Sequence, residues 1–460
     1  MKLYKFILFT VIFSINFVIC NAQLKNDTLT KKLDEYLVSA NMFYNFNGSA
    51  LVARHGEILL KKSYGLKNFS TKVLNDSNTI FQICSVTKQF TAAVILKLRE
   101  EGKLSLQDKL SKYFPEFKHA DEITLENLLT HTSGIYNYTN DIDGNDSAIV
   151  CNPVSKQLVL NIMFKHPLGF KPGTKFVYDN SGYYLLGLII EKVTGKSYEQ
   201  NVRDIIFTPL QMTHSLFDFK HSPDTNIATG YQTISDTNQV VASAWRWDST
   251  VTYAAGAIFS TIGDMYKWAK AIANKEILSE DSWKAAFIPH LEHYGYGWWI
   301  DTLFGNTYVM HGGGLPGFKA YFCYYPDEDA TIILLNNKGW FDEELTNINI
   351  NLSAILFNKP YKLMRKHIVI ELPDSVLKKY IGRYDFDKKH HVYITLEKGS
   401  LNMEAPQGGL PKSPLLAEDE NNFYLKIIDA RIEFVKDTSG NITELISHYN
   451  GKDEVCKKIR

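Results

Sequence analysis

The sequence predicts an α+β protein in which one antiparallel sheet is assembled from both ends of a domain around a helical insertion, followed by a small all-β domain. Two observations support this fold class. Strand-like runs occur early, at Gly48–Tyr64, and return only at Thr307–Leu335, with helical periodicity between them. From about His367 the pattern changes to short alternating apolar runs separated by turns. We therefore predict domains at residues 23–362 and 363–460.

The individual elements follow from local periodicity and from glycine and proline positions. Gly48–Tyr64 is predicted to be a hairpin that turns at His55-Gly56. Apolar spacing predicts helices near Leu29–Ala40, Val86–Glu101, Leu125–Thr130, Gly182–Thr194, Met265–Ala273 and Glu344–Leu356. The helix at Val86–Glu101 is expected to be amphipathic. Later strands are predicted at Thr307–Met310, Phe318–Tyr325 and Ala330–Leu335, and in the C-terminal domain at Val392–Leu396, Phe423–Ile427 and Arg431–Val435.

Composition limits the classes of function. The chain has 460 residues, 45% of them hydrophobic, which is enough for a large core. Its formal net charge is zero and it has no basic block, which argues against nucleic acid as a partner. His131, His290 and His293 are scattered, without a convincing carboxylate partner at metal spacing. No metal or organic cofactor is implied, and the expected partner is a small-molecule or peptide substrate.

The first 22 residues are interpreted as a signal peptide. Two lysines precede an apolar run, Phe6–Ile19, which is short for a membrane-spanning helix, and small residues permit cleavage after Ala22. The alternatives are an uncleaved anchor and a lipid on Cys20, which is disfavoured because Phe17–Ile19 offers no small residue before that cysteine. We therefore expect a periplasmic or secreted bacterial protein with no integral membrane segment after cleavage.

Ser85-Val86-Thr87-Lys88 is the first of three segments that carry chemistry. Residues three apart return to nearly the same helix face, so Lys88 Nζ can lie against Ser85 Oγ and act as its base if burial lowers its pKa. We interpret the tetrapeptide as a Ser-Lys acyl-transfer centre. Ser375 and Lys378 repeat the spacing and are interpreted as a plain helical turn. Cys84 is an alternative nucleophile, but the lysine lies three residues after Ser85, so we interpret Cys84 as a packing residue.

Tyr178-Asp179-Asn180 is the second segment. A phenol near Ser85 could relay its proton, and an amide two residues later could hold both Lys88 and a substrate carbonyl. Tyr138-Thr139-Asn140 has the same spacing. We favour Tyr178 because a Pro-Gly turn precedes it and a helix start follows it, which places it on a loop, where catalytic groups usually stand. The alternative is that Tyr178 is a core aromatic residue with a satisfied hydroxyl.

His311-Gly312-Gly313-Gly314 is the third segment, at the end of the predicted strand Tyr308–Met310. Glycines let a substrate backbone lie close along a strand edge, and the N–H of Gly314 could form an oxyanion hole with that of Ser85. His311 could hydrogen-bond to Tyr178 or to a substrate acid. The alternative is a glycine-rich turn beside a structural histidine.

In this order, the three segments resemble those of the serine β-lactamase and penicillin-binding-protein superfamily, and most closely the branch of class C β-lactamases, DD-peptidases, D-aminopeptidases and family VIII esterases. Supporting phrases are Leu128–Gly134, Gly182–Gly187 and Tyr294–Trp298, and the resemblance covers about Leu29–Phe357. It implies a β-lactamase/transpeptidase-like fold and a set of roles. Ser85 resembles the acylated nucleophile, Lys88 its base and Tyr178 the proton relay, while the substrate-binding positions are Asn180, His311, Gly313 and Gly314.

The third segment departs from the superfamily, because β-lactamases usually carry a lysine where this chain has His311. A histidine is mostly neutral at pH 7 and would hold a penicillin carboxylate less firmly. We therefore expect an exported serine hydrolase that acts through an acyl-Ser85 intermediate on small esters or amides, of the esterase or D-peptidase type. The alternatives are a penicillin-binding sensor that acylates without turnover, a class C-like β-lactamase, and a catalytically silent scaffold.

The C-terminal domain resembles the small lipocalin-like domains appended to some relatives of this superfamily. Leu377, Tyr380, Gly382 and Tyr384 form the L-x-x-Y-x-G-x-Y pattern that often opens such domains. The resemblance implies either a stabilising cap or a substrate gate.

Overall fold

The structure is a computed structural model that describes residues 26–44, 46–142, 147–217, 226–234, 239–242, 247–339, 343–364, 368–387, 389–428, 430–449 and 452–459. The predicted signal peptide, with Cys20, lies outside these described residues. The chain divides into two compact units. The first extends to Leu345 and includes Leu352–Tyr361, and the second comprises Thr346–Asn351 and the chain from Lys362 onward. No helix in the described ranges is both long and apolar enough to cross a membrane.

A six-stranded antiparallel sheet lies at the centre of the first unit. Its strands are β1 (Gly48–Arg54), β2 (Glu57–Ser63), β3 (Trp299–Leu303), β4 (Asn306–Leu315), β5 (Phe318–Tyr325) and β6 (Ala330–Asn336). Their order across the sheet is β2-β1-β6-β5-β4-β3. Because β1 pairs with β6, with Gly48 opposite Asn336, the sheet is assembled from both ends of the unit and the predicted fold class is confirmed. Shorter strand pairs join Leu66–Asn68 to Val73–Leu74, Phe81–Gln82 to Phe259–Ser260, and Tyr231–Ile234 to Gln239–Ala242.

Two features of this sheet differ from the sequence prediction. The strand predicted to end at Met310 continues to Leu315, so the glycine-rich segment lies inside β4 rather than in a turn after it. Pairing with β5, where Gly313 lies opposite Ala320, holds these glycines in the strand although they have no side chains to give an alternating pattern. The edge strand β3 was not predicted.

Helices fill the insertion between β2 and β3 and flank the sheet. They are α1 (26–43), α2 (Thr87–Glu100), α3 (Leu125–Leu129), α4 (Ser147–Val150), α5 (Lys156–Lys165), α6 (Ser181–Thr194), α7 (Tyr198–Val202), α8 (Ser249–Gly256), α9 (Ile262–Ala273), α10 (Glu280–Ala286) and α11 (Glu343–Leu356). The prediction that α2 is amphipathic is wrong, since every residue from Thr87 to Leu96 is buried. Contacts with α6 and α8 cover the faces that the pattern left polar, so α2 is a core helix.

The C-terminal unit contains a closed eight-stranded antiparallel barrel, which confirms the predicted all-β domain. After the short helix α12 (Asp374–Leu377), its strands are β7 (Gly382–Asp385), β8 (His391–Glu397), β9 (Ser400–Ala405), β10 (Leu410–Ala417), β11 (Asn422–Leu425), β12 (Ala430–Lys436), β13 (Ile442–Tyr449) and β14 (Lys452–Ile459). The barrel closes because β7 pairs with both β8 and β14. Tyr380 and Tyr384 pack with Phe423 and Phe434 in its core, and Tyr384 OH donates to Tyr380 O at 2.7 Å. The tyrosines of the L-x-x-Y-x-G-x-Y pattern therefore fill the barrel interior.

Candidate active site

Ser85 lies in a single 3-10 turn, Cys84–Val86, directly before α2. The chain enters this turn from the short strand Phe81–Gln82. Cys84 has a φ of 51°, in the left-handed region that non-glycine residues rarely adopt, and this kink redirects the chain from strand to helix. Ser85 is partly exposed, whereas Cys84 is buried. Of the two candidate nucleophiles, the serine is therefore the accessible one.

The side chain of Lys88 is fully buried beside Ser85. Its Nζ lies 2.8 Å from Asn180 Oδ1, 3.0 Å from Ala255 O and 3.3 Å from Ser85 Oγ. Burial lowers the pKa of Lys88 from its ordinary 10.5 to about 7, although the charge of Asp179 opposes this shift. A neutral amine has two N–H groups and one lone pair. The amide and carbonyl oxygens accept the two N–H groups, so the lone pair is left to receive the proton of Ser85.

A break in α8 makes the carbonyl of Ala255 available to Lys88. The helix is interrupted at Tyr253, whose φ of 39° and ψ of −132° are not helical. The break turns two carbonyls away from the helix axis: Ala254 O accepts from Thr91 Oγ1 at 2.7 Å, and Ala255 O accepts from Lys88 Nζ. Both donors lie on α2, so the strained turn fastens α8 to the helix that carries the base.

The Tyr178-Asp179-Asn180 segment leads into α6, and each of its three side chains makes a different contact. Asp179 Oδ1 accepts the backbone N–H of Gly182 at 2.6 Å and thereby caps the helix. Asn180 makes no capping hydrogen bond with its side chain, which points instead to Lys88. The ring of Tyr178 has its centroid 4.9 Å from Lys88 Nζ. The structure thus brings Ser85, Lys88, Tyr178 and Asn180 together.

The competing tyrosine, Tyr138, lines the same cleft but has its hydroxyl engaged elsewhere. Tyr138 OH donates to Val251 O at 2.5 Å, and burial raises its pKa well above its ordinary value. A phenol in this state stays protonated and is not a base. The geometry therefore favours Tyr178 as the relay, which stays a prediction.

His311 does not make the contacts that the sequence suggested. Its Nδ1 donates to Gly312 O at 2.5 Å, so the proton is on Nδ1, and Nε2 accepts from Tyr294 OH at 2.9 Å. The side chain is buried, and burial together with the charge of Lys88 lowers its pKa to about 3. Both nitrogens of a neutral imidazole are therefore occupied by protein groups. These partners differ from the suggested hydrogen bond to Tyr178, and a role of His311 in binding substrate stays a prediction.

Gly313 and Gly314 bring β4 directly against the nucleophile. A Cβ at Gly313 would lie 2.5 Å from Ile83 O and 2.8 Å from Ser85 N, so only glycine allows this approach. Gly314 lines the cleft together with Ser85. The predicted neighbours are thus adjacent, and their roles in binding substrate stay predictions.

His131 is a part of the site that sequence reasoning missed. It was set aside for lack of a carboxylate partner, yet its Nδ1 lies 3.4 Å from Asp179 Oδ2 and accepts the backbone N–H of Asp179 at 3.3 Å. Its ring packs against that of Tyr178, with 4.4 Å between centroids, and its carbonyl accepts from Val177 N–H at 3.0 Å. The available signal was the phrase Leu128–Gly134, which was noted without a role for its histidine.

The cleft beside Ser85 encloses about 310 Å³, part of it open to solvent. Its lining contains no acidic or basic side chain among the described residues: Cys84, Ser85, Tyr138, Thr139, Asn180, Trp247, Thr252, Ala255, Gly256, Gly314 and Leu315. In the same part of the chain, no group of three or more histidine, cysteine or acidic residues is arranged to hold a metal ion. The cleft is large enough for a small organic group and offers it uncharged surroundings.

Known proteins share both the sequence pattern and the fold. Residues 40–354 match the family model described as Beta-lactamase, and residues 366–458 match a Domain of unknown function (DUF3471). Penicillin-binding protein 4* of Bacillus subtilis (strain 168) is 28% identical over 412 residues, which cover 85% of this chain and 90% of that protein.

Solved structures give the same picture of the fold. The octameric penicillin-binding protein homologue from Pyrococcus abyssi has a TM-score of 0.67 and 24% identity, covering 93% of this chain and 99% of that one. The D-amino acid amidase from Ochrobactrum anthropi SV3 has a TM-score of 0.64 and 21% identity, covering 73% of this chain and 99% of that one.

Proposed function

The chain belongs to the Beta-lactamase family of serine hydrolases, and from this premise we propose that it is an exported enzyme that forms an acyl-Ser85 ester from small esters or amides without a carboxylate and then hydrolyses it. The observation that carries the proposal is the buried amine of Lys88. Its pKa of about 7 and its position 3.3 Å from Ser85 Oγ suit a base for that hydroxyl.

The proposed reaction has two halves. In the first, Ser85 Oγ attacks the substrate carbonyl carbon while its proton passes to Lys88 Nζ, and the backbone N–H groups of Ser85 and Gly314 stabilise the oxyanion. With Tyr178 as relay, the proton then reaches the leaving alcohol or amine as its bond to the carbonyl carbon breaks. In the second half, water gives a proton to the same pair and attacks the acyl ester. This releases the acid and restores the hydroxyl of Ser85.

The proposed substrate class follows from the absence of charged side chains among the described residues that line the cleft. The lining side chains are uncharged, and His311 is neutral at pH 7 because its pKa is about 3. A carboxylate entering this cleft would lose water without gaining a charged partner. Penicillins carry such a carboxylate, whereas simple esters and amides do not. The fold shared with a D-amino acid amidase adds D-amino-acid amides and peptides to the substrates worth testing.

We expect 4-nitrophenyl butyrate to be hydrolysed with a kcat/KM about 10²-fold higher than 4-nitrophenyl hydrogen succinate, which differs by a carboxylate at the chain end, because that carboxylate would be desolvated without a charged partner. Nitrocefin and paired D- and L-amino-acid 4-nitroanilides complete the panel. Comparable values for nitrocefin and the butyrate would support the β-lactamase alternative instead. A stable mass adduct with no turnover would support the sensor alternative.

Export is proposed from the N-terminal sequence alone. The full chain expressed in a bacterium should yield a periplasmic or secreted protein. Its intact mass should correspond to a chain that begins at Gln23, because the apolar run before Ala22 suits a signal peptidase. A cytoplasmic product that retains Met1, or a lipid mass on Cys20, would contradict this interpretation.

A further inference from the structure

Asp179 is a carboxylate buried next to the proposed base, and the reaction above does not use it. Its side chain is 6% exposed. Oδ1 caps α6 through Gly182 N–H at 2.6 Å, and Oδ2 lies 3.4 Å from His131 Nδ1. Within the described residues, no lysine or arginine forms an ion pair with Asp179 at 4 Å or less. A buried carboxylate with no such partner exerts its field on its surroundings with little screening by water.

We propose, resting on the role of Lys88 as base argued above, that Asp179 is a positioning residue that sets the pH range in which Lys88 can accept the proton of Ser85. The two residues that flank Asp179 in sequence both face the amine. Asn180 Oδ1 is 2.8 Å from Lys88 Nζ, and the Tyr178 ring centroid is 4.9 Å away. The carboxylate of Asp179 belongs to the same short segment and is buried between these two contacts, and a negative charge held there favours the protonated form of the amine.

Of the other groups near Lys88, Cys84 acts on the pKa of Lys88 in the same direction as Asp179, but less strongly. The titratable residues that face it from the surrounding elements are Cys84, His131, Tyr178, Asp179, Tyr183 and His311. Burial lowers the pKa of both histidines and raises that of Tyr183, so these three stay neutral. After burial itself, Asp179 has the largest effect on the pKa of Lys88, and it acts against burial.

His131 holds the carboxylate in this place without neutralising it. Its Nδ1 accepts the backbone N–H of Asp179 at 3.3 Å, and its ring packs on that of Tyr178. Because the imidazole is neutral, the negative charge of Asp179 is not cancelled. The pair therefore fixes the segment and leaves the charge to act on Lys88.

The test compares the pH dependence of kcat/KM, and of Ser85 labelling by a fluorophosphonate, in the wild type, Asp179→Asn and Asp179→Ser. Both variants remove the charge and keep an acceptor for Gly182 N–H, and serine is itself a favoured helix cap. Since Lys88 must be neutral to act, kcat/KM and the labelling of Ser85 should fall as the pH is lowered through the pKa of Lys88. This fall is the acid limb of the pH profile. Without the carboxylate, the protonated amine is less stable, so this acid limb should move to lower pH by about one unit.

Asp264→Asn is the control, because Asp264 is also a buried carboxylate but accepts from His214 N–H and Ser215 Oγ and forms an ion pair with Lys267. The acid limb of the Asp264→Asn profile should lie at the same pH as that of the wild type. An unmoved acid limb in either folded Asp179 variant overturns the inference, and if one variant fails to fold the other decides. If the wild type shows neither labelling of Ser85 nor turnover, the proposed function itself fails, which is a different result from an unmoved limb.

Discussion

Replacing Ser85 with alanine should abolish labelling by a fluorophosphonate and lower ester turnover by at least about 10⁴-fold, while the protein stays folded. The reason is that the reaction needs an oxygen nucleophile at this position. Ser85 Oγ lies 3.3 Å from the amine of Lys88, and the backbone nitrogen of Ser85 lies beside Gly313. Intact mass and peptide mapping measure the labelling, and circular dichroism measures whether the variant stays folded, each in comparison with the wild type.

The chain supplies a matched control for that variant in its second S-x-x-K, Ser375-Val376-Leu377-Lys378. Ser375 and Lys378 are exposed around the short helix α12. Ser375→Ala should therefore keep wild-type labelling and turnover. Covalent labelling that persists in Ser85→Ala would show that the nucleophile is another residue and would contradict the proposed mechanism.

Replacing Lys88 with methionine should lower kcat/KM by about 10³-fold, within the range that a positioned base contributes. Methionine fills a similar volume but cannot take the proton of Ser85. It also leaves Asn180 Oδ1 and Ala255 O without the donor they now have, so some loss of stability is expected as well. Steady-state kinetics and thermal unfolding, measured on the same samples, separate the two effects.

Lys88→Arg tests whether the position needs a base or only a cation, because arginine stays protonated at any pH that the fold tolerates. We expect it to be as inactive as the methionine variant, and Lys378→Met to behave as wild type. Activity in the arginine variant would mean that Lys88 acts through its charge, and the proton of Ser85 would then need a different acceptor.

Much of the fold could be predicted because its signals are local. The alternation in Gly48–Tyr64 and the apolar runs of β5 and β6 identify strands, and Gly102 marks the end of α2. The edge strand β3 and the second half of β4 could not be predicted in this way. Glycines carry no side-chain pattern, and Gly312–Gly314 are strand residues only because β5 pairs with them.

The candidate site also contains residues that local sequence predicts and contacts that it does not predict. Ser85 and Lys88 could be predicted together because they share one helical turn. The orientation of His311 could not, since it depends on Tyr294 OH, a group from another part of the fold. The contact between His131 and Asp179 joins residues 48 positions apart, and no local spacing indicates it. The contact of Asn180 with Lys88 was predicted from its motif, and the structure has it at 2.8 Å.

Because the sheet is assembled from both ends of the first unit, the active site can form only late in the synthesis of that unit. Asn47 and Asn336, whose hydrogen bond joins β1 to β6 at one end of that pair, are separated by 289 residues. At about 5–20 residues per second, a ribosome needs tens of seconds to make the second after the first. Gly313, which completes the surroundings of Ser85, belongs to the same late segment. A nascent chain therefore carries Ser85 without the strand beside it until β4 has been synthesised.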